Sequence, residues 1–157
     1  MTSWPEGTRP DQSSVFCHNE IIVPTPPQRV WEWLVTAGMW SRWYRNAGDV
    51  VLPSNRLRLE QNMVFRWRTF GARITSKVVD YDPPNGIGWT WWRRGARGYH
   101  GWLLKAEGDG TRVVTEETQQ GLLPWLLRPI LRRALAIAHE YWLRQLARQA
   151  TQGLPEP

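Results

Sequence analysis

The amino-acid sequence predicts an α+β fold in which a curved antiparallel sheet of about seven strands wraps around one long C-terminal helix. Two observations lead to this fold class. Apolar and polar residues alternate over most of residues 49–119, which is the period of a strand. From residue 127 onward the apolar residues recur at helical spacing instead. Short turns separate the strands, so successive strands must run antiparallel.

A strand and two short helices are expected first. Residues 15–23 alternate as a strand, and the run Pro24-Thr25-Pro26-Pro27 ends it. We expect Thr25 to cap the helix that follows, because its hydroxyl can accept a hydrogen bond from a free backbone N–H and the prolines suit the first turn. This helix should extend to Gly38, and a second short helix should cover residues 39–44.

Further strands follow, each bounded by residues that favour turns. They are expected at 49–53, 63–70, 72–81, 87–93, 97–107 and 111–119. The runs Asp82-Pro83-Pro84-Asn85-Gly86 and Gly108-Asp109-Gly110 are the strongest turn signals, because proline, asparagine and glycine adopt the backbone angles of tight turns.

Alternation within these strands predicts one dry face and one solvated face of the sheet. The dry face is expected to hold Phe65, Trp67, Thr69, Ile87, Trp89, Trp91, His100, Trp102, Leu104, Val113, Thr115 and Glu117. The opposite face carries cations, namely Arg66, Arg68, Arg73, Lys77 and Arg112. The dry face therefore places a few polar groups among many indoles.

The C-terminal helix should begin near Pro124 and become regular after Pro129. Its expected apolar face consists of Leu127, Ile130, Leu131, Ala134, Ile137, Ala138, Tyr141 and Trp142. The charged residues expected on the other side are Arg128, Arg132, Arg133, Glu140 and Arg144. An apolar stripe this wide must be buried against a large partner, and the sheet is the partner that the sequence offers.

The length of 157 residues fits one domain. We expect residues 15–151 to form it and residues 1–14 and 152–157 to be flexible, because the two ends are polar and lack periodicity. The N-terminus lacks the pattern of a secretory signal, and no apolar run is long enough to span a bilayer, which favours a cytoplasmic location.

Composition narrows the classes of function further. The net charge of +6 is spread along the chain, which favours a solvated basic surface and leaves contact with anions as the alternative. Cys17 is the single cysteine, which excludes an internal disulfide and a multi-cysteine zinc site. The histidines His18, His100 and His139 lack metal-ligand spacing, so we expect no metal and no cofactor.

This order of elements resembles the START-like, polyketide cyclase and Bet v 1-related superfamily, often called SRPBCC, whose fold is the helix-grip fold. The resemblance covers residues 15 to about 150, nearly the whole chain. The segments that carry it are Ile21–Val23, Pro26–Leu34, Trp40–Tyr44, Asp80–Pro84 with Gly88-Trp89, Gly108–Val113, and Thr115–Glu117 with Gly121–Leu123.

The resemblance implies a mostly apolar cavity between the sheet and the C-terminal helix. Members of the superfamily bind or transport lipids, sterols and hormones, cyclise or dehydrate polyketides, or contact a chaperone. They share no universal catalytic motif, so fold alone does not fix function. The chain departs from the family in its twelve tryptophans, because each inward indole fills volume that a ligand would need.

The first functional hypothesis is binding of a small hydrophobic molecule in that cavity, which could be lipid-like, aromatic or polycyclic, or a polyketide. Its expected contacts are Trp67, Trp89, Trp91, His100, Trp102, Thr115 and Tyr141. The second is a polyketide cyclase or dehydratase-like enzyme in which His100, aided by Glu117 or Tyr141, moves a proton. The alternative to catalysis is that His100 and Glu117 have a structural role and only form hydrogen bonds with neighbouring polar groups.

Two segments suggest macromolecular partners. Residues 89–100 interleave aromatic residues with arginines, as surfaces that bind single-stranded nucleic acid do, but strand alternation explains them more simply, and we expect no nucleic-acid partner. Residues 121–128 could lie on a membrane surface, or they could lead into the helix that the sheet covers. A chaperone-regulating role and a homodimer also remain open.

Overall fold

The chain folds into one seven-stranded antiparallel sheet packed against helices, in a computed structural model that describes residues 4–156. The strands are β1 Val15–Val23, β2 Gly48–Val51, β3 Val64–Thr69, β4 Ala72–Asp82, β5 Gly86–Arg93, β6 Ala96–Glu107 and β7 Gly110–Gln120. The helices are α1 Pro27–Val35, α2 Trp40–Trp43, α3 Leu122–Leu126 and α4 Arg128–Gln152. The strand order is β1-β7-β6-β5-β4-β3-β2.

The expected helix-grip architecture is confirmed. Each predicted strand is present, and its ends agree with the prediction to within two residues. Strands β2 to β7 pair with their neighbours in sequence, and β1 crosses the fold to pair with β7. The two short helices lie between β1 and β2, and the long helix follows β7.

The start of α1 differs from the expectation. The cap residue is Pro26, which makes no side-chain capping bond, and the hydroxyl of Thr25 has no partner among the described residues. The backbone carbonyl of Thr25 instead accepts a hydrogen bond of 2.6 Å from the Thr111 hydroxyl. The helix also ends at Val35 rather than at Gly38, whose backbone N–H donates to a loop carbonyl, Leu57 O, at 2.9 Å.

The C-terminal helix is divided into α3 and α4, and the division lies at Leu127. Pro129 explains the break, because a proline has no N–H with which to continue the hydrogen-bonding ladder of the preceding turn. The expected beginning near Pro124 therefore corresponds to a separate short helix.

The expected apolar face of α4 is correct at Trp142 but wrong at Ile130 and Ile137. The buried residues are Leu135, His139, Trp142, Leu143, Leu146 and Ala150, whereas Ile130 and Ile137 are 67% and 60% exposed. The centre of the buried face is rotated from the centre of the expected one by about 120°, a third of a helical turn. This rotation turns His139 toward the sheet.

The core is an aromatic cluster between the inner face of the sheet and the helices. Trp40 from α2 lies at its centre and contacts the rings of Trp67, Trp89 and Trp142 at centroid distances of 5.3, 5.6 and 5.2 Å. Edge-on and tilted ring contacts of this kind stabilise a core beyond the area that they bury. The indoles therefore do fill much of the space between sheet and helix.

The outer face of the sheet also holds a buried aromatic residue, Tyr99, whose hydroxyl donates to Asp80 at 2.6 Å. Trp4 covers the Tyr99 ring at a centroid distance of 5.3 Å. The Thr118 hydroxyl donates to Thr8 O at 2.8 Å, so the described part of the N-terminal segment lies along this face. Flexibility of 1–14 and 152–157 stays a prediction, and residues 1–3 and 157 lie outside the described residues.

Candidate functional site

A cavity of about 160 Å³ lies between the inner face of the sheet, α3 and the first half of α4. Most of its wall is apolar, and it includes Trp67, Trp89, Trp91, Leu127, Leu135 and Trp142. The cavity reaches the surface beside exposed residues of its lining, among them Phe70, Arg93 and Leu123. The many inward indoles thus leave a void on the side of α4 that Trp40 does not fill.

Three buried polar side chains meet in the wall of this cavity. Glu117 Oε2 lies 3.3 Å from His100 Nδ1 and 3.1 Å from His139 Nε2. The other oxygen, Oε1, accepts a hydrogen bond of 2.9 Å from the Gln119 amide. The imidazole rings of His100 and His139 stack with their centroids 4.8 Å apart. Glu117 therefore stands between two histidines that approach it from the sheet and from the helix.

The sheet register explains two members of this cluster. His100 on β6 and Glu117 on β7 are directly opposite each other in the antiparallel ladder, so their side chains project from the same face. Thr115 lies two positions before Glu117 on the same face, and its hydroxyl is 2.8 Å from His100 Nε2. His139 comes from α4, one helical turn after Leu135 on the buried stripe.

Burial determines the charge of the His100 ring. It lowers the pKa of His100 to about 3, an effect that the negative charge of Glu117 only partly offsets. The imidazole is therefore neutral near neutral pH. A neutral ring with Nδ1–H toward Glu117 has a lone pair on Nε2 that accepts the proton of the Thr115 hydroxyl.

Glu117 is ionised in this site. Burial alone would raise the pKa of Glu117, but the two histidines and the Gln119 amide outweigh it, and the pKa of the carboxyl lies below its usual value. His139 donates its Nε2–H to this carboxylate, with 3.1 Å between Nε2 and Glu117 Oε2. The opposite nitrogen, His139 Nδ1, is buried and has no partner among the described residues.

The aromatic wall adds further unpartnered donors. Nε1 of Trp89, Trp91 and Trp142 is buried with no acceptor within hydrogen-bonding distance in the described part of the chain. The Tyr44 ring stacks on Trp142 at 4.3 Å and also lines the cavity. Burial raises the pKa of Tyr44, so its hydroxyl keeps its proton. Buried polar groups usually have partners, so the unpartnered N–H groups need an explanation. Nε1 of Trp43 and Trp102, outside the cavity lining, likewise has no partner among the described residues, so three of these five indoles lie in the cavity wall.

The structure places the residues expected at the site in three groups. Trp67, Trp89, Trp91, His100 and Glu117 line the cavity. Thr115 and Trp102 lie behind His100, which Thr115 contacts at 2.8 Å and which Trp102 stacks on at 5.3 Å.

Tyr141 lies outside the cavity lining and packs against Tyr44 at a centroid distance of 5.9 Å. His139 and Trp142 line the cavity but were absent from the expected set. Their spacing with Leu135, Leu143 and Leu146 at three and four residues is helical and could have identified the stripe that they share.

The same cluster offers the donors of a metal site. His100, Glu117 and His139 each supply one ligand atom, and these atoms lie within 4.8 Å of one another. Two histidines and one carboxylate form a donor set that divalent transition metals accept. The contacts of 3.1 and 3.3 Å to Glu117 also fit a cluster held together by its own protons. We expected no metal because the histidines are widely separated in the sequence. That separation does not show that the fold brings two of them together at Glu117.

The chain matches the model of one protein family over residues 17–151. That family is described as polyketide cyclase / dehydrase and lipid transport. No curated protein matches the chain. Within the described residues, no helix is long and apolar enough to cross a membrane.

Several solved structures share the fold. A hypothetical protein from Helicobacter pylori is 25% identical with a TM-score of 0.87, and the match covers 96% of this chain and 99% of that one. A protein from Thermus thermophilus is 19% identical with a TM-score of 0.72, covering 87% and 97%. The di-domain ARO/CYC StfQ from the steffimycin biosynthetic pathway is 17% identical with a TM-score of 0.73, covering 88% of this chain and 51% of that one.

Proposed function

Because the chain belongs to the polyketide cyclase / dehydrase and lipid transport family, we propose that it binds a small aromatic molecule bearing acceptor oxygens in the cavity beside Glu117. The observation that carries the proposal is the set of unpartnered indole N–H groups in a wall of aromatic rings. Flat rings would pack on the indoles, and carbonyl or hydroxyl oxygens would accept their protons.

The volume of the cavity favours a ligand of one or two rings. An apolar cavity of about 150 Å³ holds a benzene molecule in another protein. The cavity here is about 160 Å³, so a longer polycyclic molecule would extend through the opening near Leu123. This size supports the aromatic part of our sequence-based hypothesis more than the polycyclic part.

Calorimetric titration with matched pairs of probes tests this function. We expect 1-naphthol to bind at least tenfold more tightly than naphthalene, a difference of about 1.4 kcal/mol, because only the naphthol oxygen can accept a proton from the wall. The same comparison applies to phenol and benzene. Equal affinity within each pair, or the absence of binding by all of the probes, would refute the proposal.

Tryptophan-to-phenylalanine variants locate the binding site. Trp91→Phe and Trp142→Phe keep an aromatic ring and remove an N–H without a protein partner, so we expect them to reduce the preference for naphthol over naphthalene. Trp33→Phe is the matched control, because Trp33 is not among the lining residues and its N–H donates to Gly153 O at 2.7 Å. An equal loss of preference in the control would contradict the assignment.

A second candidate function is proton transfer to or from a bound carbonyl compound. The observation that favours it is the pair of Glu117 and His139, in which the carboxylate orients one ring nitrogen and leaves the other without a partner. This is the arrangement in which an imidazole acts as a general base. His100 is less suited to this role than we expected, because both of its nitrogens already contact protein groups.

Hydrogen–deuterium exchange at the α-carbon of benzoylacetone, followed by NMR, tests this second function. We expect the protein to accelerate the exchange, and we expect His139→Gln to reduce the acceleration by about 10²-fold or more. Trp33→Phe, at a residue outside the cavity lining, should retain most of it. Exchange that proceeds equally fast with the wild-type protein and with His139→Gln would exclude the role of His139. A cytoplasmic location, a homodimer and the absence of a nucleic-acid partner stay predictions.

A further inference from the structure

Helix α3 and the first turn of α4 expose an unusual amount of apolar surface. Leu122, Trp125 and Ile130 are 65%, 65% and 67% exposed, and Leu126 and Leu127 between them are 58% and 42% exposed. Soluble proteins scatter single apolar residues over their surfaces, but a contiguous exposed patch marks an interaction site. These five side chains fall within nine consecutive residues.

Exposed arginines surround this apolar patch. Arg128 lies within the patch, before Ile130, and Arg133 follows it on α4, while Arg93 and Arg94 lie at the turn between β5 and β6. The turn adjoins α3, because the backbone N–H of Leu123 donates to the carbonyl of Gly95 at 3.3 Å. We call the five apolar residues and these four arginines the portal surface.

Acidic residues are absent from the two segments of the sequence that supply the portal surface. No aspartate or glutamate occurs between Asp82 and Glu107 or between Glu117 and Glu140, and these two segments supply the whole portal surface. The portal surface therefore combines exposed leucine, isoleucine and tryptophan side chains with arginines. The segments that supply these arginines contain no acidic residue. Apolar side chains that enter the acyl boundary and arginines that contact phosphate groups are the features of proteins that lie on membranes.

We propose that the portal surface docks on an anionic lipid bilayer and presents the opening of the cavity to it. Leu123 and Leu127 belong to the cavity lining, so an apolar molecule that leaves past them emerges among the exposed side chains of α3. A symmetric dimer through this surface is disfavoured, because it would bring eight arginines into one interface whose own segments hold no acidic residue to pair with them. Docking itself requires no ligand in the cavity and thus goes beyond the proposed binding function.

Vesicle co-sedimentation with the full chain tests the proposal. The probes are vesicles of phosphatidylcholine alone and of equimolar phosphatidylcholine and phosphatidylglycerol. We expect strong binding to the anionic vesicles, weak binding to the neutral ones, and a loss of binding at high salt, because salt screens the attraction to the arginines. Equal binding to both kinds of vesicle, or binding to neither, would overturn the proposal.

Paired variants on one helix separate docking from general charge attraction. Arg128→Gln/Arg133→Gln should reduce partitioning onto anionic vesicles by about tenfold or more, because each arginine near the surface contributes to the attraction. Arg144→Gln/Arg148→Gln removes the same charge from exposed positions farther along α4, and should change partitioning by less than about twofold. Equal effects of the two pairs would refute the assignment of the surface.

The apolar contribution needs its own variant. Trp125→Ser should weaken partitioning at least fivefold while leaving naphthol affinity and thermal stability unchanged, because the side chain is exposed and lies outside the cavity lining. Sedimentation velocity provides the remaining check. A dimer of the wild-type protein that Trp125→Ser dissociates would show that a second copy covers this surface, and would overturn membrane docking.

Discussion

The two halves of α4 differ in what their buried face contacts. The second half buries Leu143, Leu146 and Ala150 to 2% exposure or less within the aromatic core, and Trp142 at the boundary belongs to that core and also lines the cavity. The first half buries Leu135 in a small cluster with β1, and the opposite side of that half is left to solvent at Ile137. One helix thus contains a part that is fully packed and a part that borders a cavity.

This difference indicates how the fold separates stability from function. The packed half removes apolar surface from water, which is the main favourable contribution to folding. The first half gives up some of that contribution, since the space next to Leu131, Leu135 and His139 lacks the atoms that would fill it. A ligand could recover the lost contacts, so the same vacancy that costs stability provides affinity.

Truncation of a packed side chain should give the largest effect. We expect Leu146→Ala to lower the free energy of unfolding by about 2 to 5 kcal/mol, because Leu146 is fully buried and its loss leaves a void. Ile137→Ala in the first half is the control and should change it by about 0.5 kcal/mol or less, since Ile137 is 60% exposed. Urea unfolding of both variants measures the difference, and similar losses would contradict the comparison.

The free energy of unfolding should depend on pH because of His100, which lines the cavity. The pKa of His100 is about 3 in the folded protein, below the ordinary value of 6.5, so the unfolded chain binds a proton that the folded chain does not. The stability linked to His100 is therefore present near pH 7 and lost as the pH falls below 6.5. We expect a decrease of about 2 kcal/mol in the free energy of unfolding between pH 7 and pH 5.

The groups facing His100 determine how this decrease is checked. Glu117 on β7 has a lowered pKa, so its own contribution is present above its usual range and is lost only at more acidic pH. His139 faces the same carboxylate from α4. Urea unfolding at both pH values, with His100→Asn as the control, isolates the contribution of His100. An unchanged decrease in that variant would assign the effect to another group.

The fold was predictable because its signals are local. Strand alternation and the turn at Gly108-Asp109-Gly110 predict the ends of β6 and β7 to within one residue. The register between neighbouring strands follows from such turns. The helix face was not predictable in this way, because leucine, isoleucine and alanine occur on more than one side of α4. Because the prediction placed Ile130 and Ile137 in the core, it missed the buried stripe that contains His139.

The site was predictable only in its strand half. His100 and Glu117 share the inner face by alternation, so their meeting follows from the sequence. His139 is 22 residues from Glu117 along the chain, and their contact depends on the rotation of α4 about its axis. That rotation is set by packing of Trp142 on Trp67, Trp89 and Trp102 of the sheet. The stripe through His139 has helical spacing, but so does the stripe through Ile130, Ala134 and Ile137, and spacing alone does not choose between them.

Hydrogen exchange along α4 should give the smallest of these effects and compare the two halves directly. Amides exchange through local opening, and opening costs less where few buried apolar contacts are lost. We expect amides of residues 131–138 to exchange about tenfold faster than those of residues 142–150, a difference of about 1.4 kcal/mol in opening free energy. Addition of 1-naphthol should slow exchange mainly in the first half, because a ligand that fills the cavity supplies the contacts that this half lacks. Uniform protection along the helix would show that the cavity does not weaken it, and the distinction between a packed half and an open half would then fail.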